Sequence, residues 1–393
     1  MDIHIDPTKR HDFVLLFDAV NSNPNGDPDA GNQPRVDPDT NHGLVTDVAL
    51  KRKVRNYVAL AGHPIFIQSQ VSLNSLIVEG FRKAGVQPAQ VEVKDEALLE
   101  WAEGGLPDGF TFDEGVLTYA GESNSASKIE KLLWETVENT EENKALRQKL
   151  RALAKQLAAA GGATITPQNR VEARNQLCRD YFDIRMFGAV LATGLNAGQV
   201  RGPMQLTFAR SINPVRPRDL TITRQARTTA ERMETGSTEM GRKQLVNYGL
   251  YEAHGFYSPQ LGQGERGTGV TSDDLALFWE ALERLFWHDR SAARPEMNVQ
   301  GLYVFTHESP LGNAPAHRLF RRVSVTKRLD PETKKPVEAP RSIDDYDVRI
   351  DWPREGEDRE HRGVTLTRLV DAEAAAAPTA VAPTGEVGSV ALN

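Results

Sequence analysis

The chain has 393 residues, of which 39% are hydrophobic and 26% charged, and it carries a formal net charge of −7. That composition fits a globular protein with two or three domains, or one core with large insertions, and the acidic sum speaks against a generic basic nucleic-acid binder. The single cysteine, Cys178, excludes an internal disulfide and a thiolate metal cluster, and no stretch approaches the roughly 18 apolar residues of a membrane span.

The N-terminal Met1-Asp2-Ile3-His4-Ile5-Asp6 has neither the basic start nor the apolar core of a signal peptide, so a cytoplasmic protein is expected. The net charge hides a segregation. Residues 86–165 hold 14 Asp/Glu against 8 Lys/Arg, whereas residues 200–250 hold 9 Lys/Arg against 4 Asp/Glu. Exposed charges are largely screened beyond about 8–10 Å at physiological salt, so local sign decides phosphate binding. A basic lane on an acidic body is therefore compatible with gripping one strand.

Residues 13–20 are mostly apolar on both alternating sets, which predicts a central strand covered on both faces. A polar loop follows, Asn21-Ser22-Asn23-Pro24-Asn25-Gly26-Asp27-Pro28. Thr46 and Asp47 then read as the start of a helix with an apolar stripe at Val48, Leu50, Val54, Tyr57 and Val58. Its basic run is Lys51-Arg52-Lys53 with Arg55, and Lys51 and Arg55 fall one turn apart on a more polar face. Residues 61–165 read as an acidic helical insertion, with residues 128–160 as one long helical stretch stopped by Gly161-Gly162.

Residues 168–181 predict a second amphipathic helix, which leads into Phe182-Asp183-Ile184-Arg185-Met186-Phe187-Gly188. Residues 204–209 alternate like a strand. Residues 211–247 have little apolar content and many Arg and Thr, which suggests a protruding hairpin. Residues 248–257 read as a strand, Thr271-Ser272-Asp273-Asp274 as the cap of a helix burying Leu275, Phe278, Trp279 and Leu282, and residues 301–306 and 319–325 as further strands. The order fits an α+β sheet with helices on one face, close to an RRM or ferredoxin-like unit. The tail beyond about residue 372 is rich in Ala, Pro, Thr and Gly and is expected to be disordered.

Several patterns that suggest chemistry fail on context. Gly262-Gln263-Gly264-Glu265-Arg266-Gly267 matches a dinucleotide fingerprint, but Ser258-Pro259 breaks any preceding strand and the glycines do not open the helix. No His-Glu-x-x-His, no cysteine pair and no Walker loop is present, so no cofactor and no metal site is expected. His307, Ser309 and His317 lie around a proline turn and read as turn chemistry, and no catalytic residue is assigned.

The basic helix is different, because it stands behind a polar loop and an Arg-rich arm follows later in the chain. Arg201, Arg210, Arg216, Arg224, Arg242 and Lys243 are placed to line the same path, and guanidinium groups stack on bases as well as binding phosphates. Met204, Phe208 and Tyr248 are the stacking or wedge candidates.

With those residues in view the chain resembles the CRISPR-associated "Cas seven" family, and within it the guide-RNA-binding backbone subunit of type I-C Cascade. The polar loop and Leu44-Val45-Thr46-Asp47-Val48 carry the resemblance first. Asp183-Ile184-Arg185-Met186-Phe187-Gly188, Asn196-Ala197-Gly198-Gln199-Val200-Arg201-Gly202-Pro203 and Phe208-Ala209-Arg210-Ser211 extend it. Met240-Gly241-Arg242-Lys243, Tyr248-Gly249-Leu250-Tyr251, His288-Asp289-Arg290-Ser291 and Gly312-Asn313-Ala314-Pro315 complete it. The resemblance implies an RRM-like palm over residues 1–60 and 166–345, fingers at 61–165, a hairpin thumb at 205–247 within the palm, and an extension with a disordered tail at 346–393. It implies a non-catalytic subunit that polymerises head to tail along guide RNA (crRNA), assembles with other Cascade subunits, meets target DNA through the guide, and has no membrane partner. The RNA contacts it implies are Asn21, Asn23, Arg35, Lys51, Arg52, Lys53, Arg55, Arg185, Gln199, Arg201, Arg210, Arg224, Arg242 and Lys243. On this reading, reversing Lys51 and Arg55 together abolishes RNA retention without unfolding the chain. The alternative is a metal-dependent endoribonuclease, as in type III relatives, with Asp27, Asp29 and Asp37 in the loop after the first strand as its acidic residues.

Overall fold

The structure is a computed structural model and describes residues 2–162, 164–192, 194–224, 239–354 and 358–372. It is a mixed α/β fold organised on one antiparallel sheet. The central strand, His11–Ser22, pairs on one side with the long strand Glu239–Tyr257 and on the other with Glu296–His307. Val364–Val370 closes the edge beyond Glu296–His307. The far edge of the long strand carries Met204–Leu206, Ala209–Pro214 and Pro217–Arg224 in turn, and His42–Val45 pairs outside Ala209–Pro214.

Strand alternation sends the central strand's side chains to two different cores. Phe13, Leu15, Phe17 and Ala19 pack under two helices, the basic helix Asp47–Leu60 and the helix Ser272–Glu283, through Leu50, Val54, Val58, Leu275, Phe278, Trp279 and Leu282. Phe13 meets the Trp279 ring edge to face at 5.1 Å. Its neighbour across the strand pair is Gly255, where a Cβ would stand 2.0 Å from the Phe13 ring, so only glycine leaves room for it. Val14 and Leu16 point the other way, onto Leu319, Phe320, Val323, Val348, Ile350 and Trp352. The strand is thus covered on both faces, as its double apolar set requires.

The second face is covered by the C-terminal extension, which sequence reading left without elements after residue 345. Tyr346–Ile350 pairs with Val323–Lys327, and Val364–Val370 is the edge strand of the main sheet. The expected strand at residues 319–325 is corrected: Ala316–Phe320 is a short helix and the strand begins at Val323. The strand read at 204–209 is broken at Thr207-Phe208 into two. The expected disordered tail lies mostly outside the described residues.

The insertion is also not purely helical. It contains a three-stranded antiparallel sheet, Ala89–Glu92, Val116–Tyr119 and Phe110–Asp113, besides the helices Leu73–Lys83, Glu96–Glu103, Ala126–Trp134 and Lys144–Ala159. The stretch read as one long helix is two, which fold back so that Ile129 and Leu133 pack with Leu150, Leu153 and Leu157 in a core of their own. A periodic apolar pattern persists across a turn when both helices face the same core, so the period alone missed the break.

His11 is a test of this packing. It is fully buried, between Thr306 Oγ1 at 3.0 Å and the Asp6 carbonyl at 2.9 Å, and burial pushes its imidazole down to about 4. The unfolded chain binds the proton below about 6.5 while the folded chain refuses it until about 4, so His11 makes stability fall as pH drops through that window. The loss reaches about 3 kcal/mol at the low end. Urea unfolding at the two ends of the window is expected to show it, and His11→Gln is expected to flatten that pH dependence.

Candidate nucleic-acid interface

The polar loop after the central strand is built by asparagines. Asn21, Asn32 and Asn41 take positive φ of 46°, 64° and 57°, a conformation asparagine tolerates better than most residues. Asn25 ties the loop to the basic helix: its Oδ1 accepts from the Thr46 N–H at 2.9 Å and from the Thr46 hydroxyl at 3.0 Å. Thr46 in turn caps the helix, its hydroxyl oxygen accepting from the Ala49 N–H at 3.2 Å. Asn23 is buried and holds the loop's far side, donating from its backbone to the Ala293 carbonyl and from its side chain to the Asn32 carbonyl, each at 2.7 Å. Asn23 is therefore a brace for the loop, and Asn21 is the exposed member of the pair.

The basic helix presents fewer cations than its sequence suggests. Arg55 is 9% exposed and donates to Asp183 at 2.7 Å, with its guanidinium 5.2 Å from the Phe187 ring centre. Asp183 also accepts from the Phe66 and Ile67 N–H groups. Lys53 is 5% exposed, pairs with Asp289, and has its ammonium pKa lowered chiefly by burial. The polar face expected for Arg55 is thus corrected. Lys53 and Arg55 lie about 100° to either side of Val54 on the helix, and each flank is sealed by segments remote in sequence. Arg185, expected as an RNA contact, makes a two-pronged ion pair with Asp274 at 3.0 and 2.6 Å and donates to two carbonyls.

Lys51 is half-buried near the helix start, paired with Asp47 at 2.9 Å, reaching Gln205 at 3.5 Å and lying 5.8 Å from the Phe187 ring centre. Arg52 donates to the Ile67 carbonyl at 2.9 Å. Phe208 stands 54% exposed in the break between two strands, whereas Met204 and Tyr248 are buried in the cores and cannot wedge a base. Tyr248 donates its hydroxyl to the buried Asp18 carboxylate at 3.2 Å. Arg210 is exposed and pairs with Asp37 at 2.7 Å, and this guanidinium holds the Asp37 carboxyl down to about 2. Gln199 and Arg201 are exposed on the strand Gly198–Arg201.

Before residue 246 the long strand lies beyond the end of the central strand and pairs with Pro217–Arg224, from Pro217 opposite Val246 to Arg224 opposite Glu239. This two-stranded stem carries Arg242 and Lys243. Residues 225–238, and the side chain of Arg224, lie outside the described residues. A cleft of about 630 Å³ opens between the stem residues Ile222, Arg242, Lys243 and Gln244, loop residues 30–33, and Ala292-Ala293. Arg242 is exposed and only loosely held by Asp219 at 3.4 Å. Arg35 closes the loop on Asp27 at 3.3 Å. Sequence reading missed Asn25, Gln205 and Gln244. Asn25 stood inside the polar loop, but nothing in a linear chain marks which asparagine faces the helix.

Tertiary structure therefore groups Lys51, Phe208 and Arg210 near the helix start and Arg242 and Lys243 at the stem, with the asparagine-built loop between them. Such a surface suits a phosphate backbone with an occasional stacked base. Among the described residues no group of three or more His, Cys, Asp or Glu is gathered to hold a metal ion, and no helix is long and apolar enough to cross a membrane.

Comparison with known proteins adds four findings. The family model for CRISPR-associated protein Cas7 matches residues 9–351. A CRISPR-associated protein Cas7 from Haloferax volcanii is 42% identical over 59 residues, which span 15% of this chain and 17% of that relative. Among solved structures, a chain of a "CRISPR RNA-guided surveillance complex, pre-nicking" has a TM-score of 0.42 at 16% identity, covering 75% of this chain and 78% of that one. A chain of a "CRISPR RNA-guided surveillance complex" has a TM-score of 0.36 at 14% identity, covering 75% of each chain.

The burial of Arg55 changes the charge-reversal experiment. Reversing Lys51 and Arg55 together is expected to unfold the chain, because Asp183 would lose its buried partner. Arg55→Ala is expected to cost about 3–5 kcal/mol, and Lys51→Ala within about 1 kcal/mol, both read from urea unfolding midpoints. Phe208→Ala, an exposed truncation, is expected to change stability by less than about 0.5 kcal/mol.

Proposed function

The chain belongs to the Cas7 family of CRISPR-associated proteins, and from that premise we propose that it is the guide-RNA-binding backbone subunit of a type I-C Cascade surveillance complex. The observation that carries this reading is the family match across residues 9–351, which contains the loop, the basic helix and the stem together. On this reading the sheet and its two helices form an RRM-like palm. The strand order, with Glu296–His307, His11–Ser22, Glu239–Tyr257 and then Ala209–Pro214 side by side, supports it, as does the position of both helices on one face. The insertion at 61–165 serves as fingers and the stem rising from 205–247 as the thumb.

The guide's phosphates run from the start of the basic helix to the stem. Lys51, Arg52, Asn21, Arg210, Arg242 and Lys243 are the contacts we assign, with Gln199, Arg201 and Arg224 continuing the lane and Phe208 as the base-stacking residue. Lys53, Arg55, Arg185, Asn23 and Arg35 hold the frame. Contacts to backbone position a strand without reading it, so sequence choice is left to pairing between guide and target DNA. Copies of the chain stack head to tail along the guide, an open heterologous contact that generates a helix, and other Cascade subunits cap the array.

The subunit is proposed to be non-catalytic and to need no cofactor. The endoribonuclease reading has less support, because two of the three candidate carboxylates have a local role. Asp27 accepts from the Asp29 N–H and pairs with Arg35, and Asp37 is the partner of Arg210 and caps the turn at residues 39–40.

The deciding experiment is co-expression with a CRISPR array and the partner subunits, followed by sequencing of the co-purified RNA. Uniform RNA matching array spacers is expected; random fragments or no RNA would overturn the reading. Arg242→Glu with Lys243→Glu is expected to lower the absorbance ratio of the purified chain and leave its thermal midpoint in place. In RNA titrations the pair should flatten the slope of log affinity against log salt by about 0.7 per lost phosphate contact.

A further inference from the structure

A second basic cleft lies on the other side of the sheet from the basic helix. Arg216 and Arg218 at the foot of the stem, Lys327 at the end of the strand Val323–Lys327, and Arg341 in the turn before Tyr346–Ile350 line one cavity of about 420 Å³. Tyr248 and Tyr346 share the lining, with ring centres 6.3 Å apart. Tyr248 and Leu250 cluster with Tyr346, whereas Tyr251 and Ala253 join the helix-side core, so alternation places this cleft on the extension face.

Arg55, Arg185, Arg210 and Arg322 each face a carboxylate. Among the described residues no ion pair engages Arg216, Arg218 or Arg341. Two carboxylates lie close by and must be counted. Glu338 lines the cleft, but it is its backbone carbonyl that takes the Lys327 ammonium, at 3.1 Å. Asp345 is turned into its own capping turn, accepting from the Arg341 N–H at 2.6 Å and the Ser342 N–H at 3.2 Å. Three exposed guanidinium groups without a carboxylate partner among the described residues line one cleft and are available to an anion. Asn213 adds a side-chain oxygen that is buried and has no donor. A simple anion would satisfy the arginines alone. A nucleic-acid strand brings a series of phosphates for the arginines and N–H donors for Asn213, while the buried tyrosines form the floor of the cleft.

We propose that this cleft, formed between the stem and the C-terminal extension, binds the phosphodiester backbone of a nucleic-acid strand at a place separate from the grip at the basic helix. Its lining draws on the C-terminal part of the chain, since two of its four cations come from residues 327 and 341 and Tyr346 comes from the extension. The strand is either a second strand or another part of the guide, and the two have different consequences.

The test uses the full chain, co-expressed with a CRISPR array, and its Arg216→Gln/Arg218→Gln/Arg341→Gln variant. A labelled single-stranded DNA unrelated to the guide is titrated by fluorescence anisotropy over a salt series, and guide content is read from the absorbance ratio. The variant is expected to bind the DNA about tenfold or more weakly, with the salt slope flattened by about 2, three phosphate contacts at roughly 0.7 each. Intact guide content alongside that loss identifies a second strand. Lost guide content with unchanged DNA binding identifies the guide itself, and the phosphodiester assignment stands. Unchanged values for both overturn the proposal. The thermal midpoint without added DNA is expected to stay in place, because the three side chains are exposed; a fall with unchanged binding would assign the arginines a structural role instead. If the parent chain retains no guide at all, the guide-backbone reading fails by itself, and the DNA titration still reports on the cleft.

Discussion

Asp183 accepts from Arg55 and from the N–H groups of Phe66 and Ile67 at a point where three remote segments meet. At 1% exposure it is a charge that cannot be left without partners. Its bonds fix the rotation of the basic helix about its own axis. With Arg55 pulled inward on one flank and Lys53 held by Asp289 on the other, the capped helix start with Val48 is what remains facing out, and Lys51 is half-buried beside it, paired with Asp47. The Asn25–Thr46 contact then sets the loop against that start, so the position of the whole polar segment follows from one buried carboxylate and one amide.

The sheet makes a second use of burial. Because the central strand is apolar on both faces, it demands two covers, and the two covers differ in kind. Helices supply one. The chain from Ala316 onward, extension included, supplies the other, with a short helix, a strand pair and an edge strand. The long strand continues past both covers as a stem, whose exposed backbone is paired by Pro217–Arg224. The protruding basic hairpin is thus the outgrowth of a strand anchored deep in the core, which lets it carry charge away from the acidic body without losing its register.

Net charge also becomes intelligible at this level. An acidic chain holds a basic lane because its cations divide into those neutralised inside and those left free outside. Arg55, Lys53 and Arg185 belong to the first class, and each removes a carboxylate from the surface as well. Lys243 at the stem and Arg216, Arg218 and Arg341 around the second cleft belong to the second, and Arg242 is held only loosely by Asp219. Which class an arginine joins is decided by the carboxylate that folding brings to it, and for most of these pairs that partner lies tens to hundreds of residues away.

Periodicity and capping chemistry determined a good deal without any structure. The two-sided apolar strand at 13–20, the Thr46 cap, the helix Ser272–Glu283 with its Thr271 cap and the hairpin-like arm were legible because their causes are local: alternation, side-chain oxygens one turn from free N–H groups, and a stretch with too few apolar residues to be buried. The ordered series of short motifs carried the family. What the chain alone left open was the turn inside residues 128–160, the strands of the extension, the role of Asn25 and the fate of each cation. Lys51 and Arg55 look alike in sequence and both end largely covered, with side chains 14% and 11% exposed, but they differ in partner: Lys51 pairs with Asp47 one turn away, whereas Asp183 reaches Arg55 only through the tertiary fold.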